Sequence, residues 1–247
     1  MDSPGYIVLS RMTAQLRAQA VTANNLANAD TPGFRLSRPV FAEHEQQQRF
    51  TQRIPGGRAV DYAWDRATWR DTAPGVITRT GNPLDVAIQG EGFFAVETAR
   101  GERYTRAGRF TVGNDGRLTD HQGNAVLNEA GNPIAIAAND TRIEVRGDGS
   151  IISENGPLGR LRVVRFDNNQ TLRAEGERLF DAAGQQPQAI ARPAVMQGAV
   201  EGSNVQPVIE ITRMMAEVRE FQMATQFADR EGERLSTAID RILRRRS

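Results

Sequence analysis

The sequence predicts an α+β fold in an elongated subunit, with an antiparallel pair of N- and C-terminal helices forming a coiled-coil stalk and a central all-β domain. Three observations carry this expectation. Apolar residues recur at steps of three or four near both ends, the period of a helix face. Between them, short β-prone runs alternate with turn residues. The C-terminal pattern persists for about 36 residues, roughly 54 Å of helix, which is longer than a β domain of this size could cover.

Met1 to about Asp30 reads as a helix, with Leu9, Met12, Leu16, Ala20, Ala23 and Leu26 on one stripe. Ser3-Pro4 starts it, since proline's missing N–H costs nothing in the first turn. Thr31-Pro32-Gly33 stops it, because proline pushes its predecessor out of the helical region. Residues 1–33 form the expected stalk helix and 34–80 an extended connector with short strands and one exposed loop. Residues 81–192 form the β domain, with runs such as Phe93–Val96, Ala125–Leu127, Ile134–Ile136 and Ile143–Val145. Asn114-Asp115-Gly116 and Asp148-Gly149 sit between such runs, and Asp-Gly is a strong hairpin signal. A return linker, 193–204, leads to the second stalk helix, 205–247, with Asn204 as its expected cap and Pro207 in its first turn. Both helices leave one domain, so they can pair antiparallel, and an apolar seam longer than two helices can hide is the anatomy of an assembling subunit.

The chain has 247 residues, 39% hydrophobic and 25% charged, enough for one sizeable core. With 31 basic and 30 acidic side chains the net charge is +1, which gives no sign of a nucleic-acid partner. Every basic residue is arginine. The absence of cysteine excludes disulfides, thiolate metal sites and thiol catalysis. No apolar run approaches the roughly 20 residues of a membrane span. Arg11 and Arg17 interrupt the opening segment, so no cleaved signal peptide is expected.

Four blocks then resemble a known family. Asn24-Asn25-Leu26-Ala27-Asn28-Ala29-Asp30-Thr31-Pro32-Gly33-Phe34-Arg35 resembles the N-terminal signature of bacterial flagellar rod and hook proteins, and Val200-Glu201-Gly202-Ser203-Asn204-Val205 the signature before their C-terminal helix. Thr80 to Phe94 is similar to a third block. Tyr104-Thr105-Arg106-Ala107-Gly108-Arg109-Phe110, followed by Asn114 to Leu118, is similar to a fourth. Gln19 to Asn25 and Arg219-Glu220-Phe221-Gln222-Met223 look like the proximal rod branch rather than the distal one. Asp2-Ser3-Pro4-Gly5 departs from the apolar opening usual there. The resemblance implies a non-enzymatic axial component of the basal body, exported uncleaved through the flagellar type III apparatus. Such a protein polymerises with itself and with proximal and distal rod subunits into the rod that crosses the periplasm and transmits torque.

On this reading Leu9, Met12, Leu16 and Leu26, with Ile211, Met215, Val218, Phe221, Leu235, Ile239 and Ile242, form the assembly seams. Asn24, Asn25, Asn28, Pro32, Gly33 and Phe34, with Gly202, Ser203 and Asn204, shape the joint between stalk and β domain. The alternatives are a distal rod protein of the same family and a secreted β-domain enzyme with an oligomerising tail. No catalytic, cofactor or metal site and no small-molecule substrate is expected. His44 lies in Glu43-His44-Glu45 without the second histidine of a zinc helix, and His121 precedes a glycine turn. Gly90-Glu91-Gly92 enters a strand rather than a helix, which argues against phosphate cradling. Arg146-Gly147-Asp148 reads as a tight turn, and Arg244-Arg245-Arg246 suits the negative end of a helix dipole.

Overall fold

A computed structural model describes residues 3–46, 60–176 and 178–244. The chain divides into two compact units, one of residues 1–26, 37–69 and 206–247, the other of residues 27–36 and 70–205.

The first unit holds α1 (Ser3–Ala27), β1 (Ser37–Gln46), β2 (Val60–Arg70, whose last residue belongs to the second unit) and α2 (Pro207–Arg244), with β1 paired to β2. Helix α2 has 38 residues, close to the length read from the sequence. It opens on Pro207, where no amide is needed, and the Gln206 carbonyl accepts the amides of Ile209 and Glu210. Asn204 does not cap it: its side chain accepts the Leu36 amide at 2.7 Å and donates to the carbonyls of Asp71 and Ala73. The connector also differs from expectation, since β1 and β2 are 10 and 11 residues long rather than short.

The second unit is built from β3 (Ile77–Arg79), β4 (Val86–Ile88), β5 (Phe93–Thr98), β6 (Gly101–Thr105), β7 (Thr111–Val112), β8 (Leu118–Thr119) and β9 (Ala125–Val126). It continues through β10 (Ile143–Val145), β11 (Ser150–Ser153), β12 (Gly156–Arg160), β13 (Val163–Arg165), β14 (Arg173–Glu175), β15 (Leu179–Asp181), β16 (Gln188–Ala189), β17 (Val195–Gln197) and β18 (Ala199–Glu201). Among the described residues the largest sheet runs β14-β15-β6-β5-β9-β8-β7, with β13 joined to β5 and β16 to β13. Smaller pairings are β10-β11-β12, β17-β4 and β18-β3. The stretch expected as a return linker therefore carries two strands, each paired back to the start of the domain. Ile134–Ile136 contributes only an isolated bridge, Ala135 to Arg117.

Strand β5 organises the core because both its faces are covered, which is why Phe93-Phe94-Ala95-Val96 is continuously apolar rather than alternating. Phe94 and Val96 enter a cluster with Val86, Phe110, Ile151 and Leu161, where the Phe94 and Phe110 rings meet edge-on at 5.2 Å. Phe93 and Ala95 enter a second cluster with Tyr104, Phe166 and Phe180. The turns read from the sequence close hairpins here: Asn114-Asp115-Gly116 joins β7 to β8, and Arg146-Gly147-Asp148 joins β10 to β11.

Candidate functional site

In the second unit three family-like blocks meet at one carboxylate. Glu201 closes β18 and is 2% exposed. Its Oε1 accepts Arg35 Nη2 at 2.6 Å and the Gly75 amide at 2.9 Å, and its Oε2 accepts Arg106 Nε. Arg106 spends its other donors on the carbonyls of Ile88, Gly90 and Gly92, and Arg35 donates to the Ala73 carbonyl. Buried ions tolerate such positions only when their remaining donors and acceptors are used as well. Burial pulls the Arg35 guanidinium below its ordinary range, and the charge of Arg106 adds to that, while Glu201 opposes both.

The main chain around this cluster is equally constrained. Gly33 has φ +73°, and a Cβ there would lie 2.5 Å from the Ala107 nitrogen. Its amide donates to the Glu201 carbonyl, while the Asn204 amide donates to the Phe34 carbonyl. A Cβ on Gly75 would lie 2.0 Å from the Gly202 carbonyl oxygen, so this crossing also admits only glycine. The Pro-Gly break thus delivers Phe34 and Arg35 into a slot between the fourth block and the last strand.

The first unit has a parallel device. Asn25 is fully buried; its amide nitrogen donates to the Ser37 carbonyl and to Glu210 Oε2, and its amide oxygen accepts the Ser37 amide. Arg38 grips Glu210 with both terminal nitrogens, at 2.8 and 2.6 Å. Burial pushes the Glu210 carboxyl up, but the bonds from Arg38 and Asn25 outweigh it and hold it below the usual range. Further along α2, Glu217 accepts Thr22 Oγ1 on its side chain and Gln19 Nε2 on its carbonyl. There burial dominates and the Glu217 carboxyl is raised.

Of the joint residues named from the sequence, the structure brings Gly33 and Phe34 together with Gly202 and Asn204, and buries Pro32 and Asn28 in the same unit. Asn28 ends α1 as a turn, its carbonyl taking the Thr31 amide and its side chain the Thr31 hydroxyl. Ser203 accepts the Val205 amide, and Asn24 lies exposed on α1. The residues named for assembly are arranged differently. Leu9, Leu16, Ile211, Met215 and Val218 are exposed, while Met12, Leu26 and Phe221 are half-buried. Among the described residues the buried positions of the two helices are Gln15, Val21, Thr22 and Asn25 on α1 and Glu210 and Ala224 on α2. The side chains of Leu235, Ile239, Ile242 and His44 lie outside the described residues. The pairing of the charged residues in both clusters is not legible in the sequence, although Arg35, Arg106 and Glu201 stand inside the quoted blocks, Glu201 as the one charge of its block.

Both clusters spend their charges on holding main chain and side chain in place, and this defines a structural class of protein rather than a reaction centre. Comparison with known proteins gives the particular family. Residues 6–35 match the flagella basal body rod protein family, residues 87–153 the flagellar hook protein FlgE/F/G D1 domain, and residues 196–241 the flagellar basal body rod FlgEFG protein C-terminal family. The chain is 34% identical to the flagellar basal-body rod protein FlgF of Caulobacter vibrioides, over 98% of each chain. It is 36% identical to FlgF of Salmonella typhimurium over 90% of this chain and 91% of that one. To the flagellar basal-body rod protein FlgG of Bacillus subtilis it is 31% identical over 82% and 84% of the two chains. The chain belongs to the flagellar basal-body rod proteins of the FlgF type.

Proposed function

We propose that the chain is a structural subunit of the proximal rod, polymerising through its terminal helices into the periplasm-crossing shaft that transmits torque. The observation that carries this is the placement of apolar side chains. Leu9 on α1 is 60% exposed and Met215 on α2 is 58% exposed, while polar Gln15, Thr22, Asn25 and Glu210 occupy buried positions. An exposed apolar stripe on a helix is a surface awaiting a partner, and a helical tube needs head-to-tail rather than two-fold contacts. Its neighbours in the rod are further copies and other proximal and distal rod proteins.

An antiparallel stalk is supported by the order of the bonds, since Gln19 and Thr22 reach Glu217 while the later Asn25 reaches the earlier Glu210. On this reading the division is stalk helices 1–33 and 205–247, connector 34–80, β domain 81–192 and a return segment 193–204, whose strands β17 and β18 pair with β4 and β3. Export is through the flagellar type III apparatus without cleavage. Removal of a leader from the long end of the usual range of roughly 15 to 30 residues would delete Gln19, Thr22 and Asn25 with their bonds to α2. Mass spectrometry of isolated basal bodies should find this chain with its N-terminus at or within one residue of Met1. Its absence from basal bodies, or loss of such a leader, would overturn the reading.

A further inference from the structure

Within the second unit a cleft of about 210 Å³ is lined by three arginines, Arg35, Arg70 and Arg106, with Phe93 and Phe180 as its aromatic wall. Two of these cations already share one counter-charge, Glu201. Arg70 has none: among the described residues it makes no ion pair, and its side chain only donates to the Leu172 carbonyl at 3.4 Å and lies 4.6 Å over the Phe180 ring. Burial holds the Arg70 guanidinium below its ordinary range. The acidic side chain on the lining, Glu91, is exposed and forms no ion pair among the described residues. One uncompensated positive charge therefore faces the cleft.

The Arg70 guanidinium fork matches the two oxygens of a carboxylate. The volume falls below the roughly 300–1,000 Å³ of small-molecule sites, which favours a single side chain over a metabolite.

We propose that this cleft is a carboxylate-binding site that receives an acidic side chain of a neighbouring protein chain. The rod reading supplies that neighbour, but the chemistry of the cleft stands without it. The test is an NMR titration of the isolated full-length protein, following the Arg70 side-chain N–H. N-acetylglutamate amide should give a saturable shift that weakens with salt. The N-acetylglutamine analogue should bind at least tenfold more weakly, Arg70→Gln should abolish the shift, and Arg70→Lys should retain part of it. No saturable shift at millimolar probe, an equal shift in Arg70→Gln, or binding of inorganic phosphate alone would overturn the carboxylate assignment. In isolated basal bodies a photocrosslinking residue in place of Thr72 should then link to an Asp- or Glu-bearing peptide of another chain. Failure to form any intermolecular crosslink would overturn the neighbouring-chain occupant. A negative titration removes the cleft and leaves the rod reading to the basal-body mass spectrum.

Discussion

Cells carrying Met215→Asp should make and export the protein, yet build no complete rods and fail to swim. Met215 is 58% exposed on α2, so an aspartate there changes the stability of the isolated chain by only about 0.5 kcal/mol. In the proposed assembly the same side chain becomes buried against a neighbour, and burying a methionine contributes roughly 1.5–3 kcal/mol. The aspartate loses that and leaves an unpaired charge in an apolar contact, which costs several kcal/mol more. The loss recurs at every subunit, so a modest penalty per contact stops the polymer. Leu235→Asp and Ile239→Asp, further along α2, should behave alike. Glu233→Ala, at an exposed position, should be silent, because an exposed charge is worth little. Motility and electron microscopy of basal bodies are the readouts, and normal swimming of the Asp variants would remove the stripe as an assembly seam.

The second large effect concerns folding. Glu201→Gln keeps the shape of the side chain but removes the carboxylate that both buried arginines share, leaving Arg35 only the weaker attraction of Asp71. Removing one partner of a buried ion cluster costs about 3–5 kcal/mol, a large part of the roughly 5–15 kcal/mol that holds a domain together. The melting temperature of the β unit should fall by on the order of 10 °C. Arg35→Met should cost less, since Glu201 keeps Arg106 and the Gly75 amide. Urea denaturation of the three proteins orders them. A Glu201→Gln protein as stable as the parent would mean that the cluster does not hold the three blocks together.

The two helices were legible because their apolar residues keep a step of three or four and because Pro-Gly and Pro207 punctuate their ends. The hairpin turns were legible for the same local reason, since Asp-Gly specifies backbone geometry without reference to the rest of the chain. Strands such as β12, Gly156–Arg160, carry no alternation; they are strands only because β11 lies alongside. Helix α1 shows the limit of periodicity. The apolar residues of its stripe lie largely exposed, and among the described residues its buried positions are Val21 and polar Gln15, Thr22 and Asn25. The ion clusters were invisible because their partners are far apart in sequence, 95 residues for Arg106 and Glu201 and 172 for Arg38 and Glu210. Nothing in local spacing marks such a pair.

The central claim is that exposed residues of the terminal helices become the contacts of a rod. A sub-nanometre map of isolated basal bodies, with this chain placed in its density, tests it most directly. The account predicts that the chain occupies the proximal rod and that Leu9, Leu16, Ile211, Met215 and Val218 are buried against helices of neighbouring subunits. Density that places the chain elsewhere, or that leaves those side chains facing solvent in the assembled rod, would contradict it.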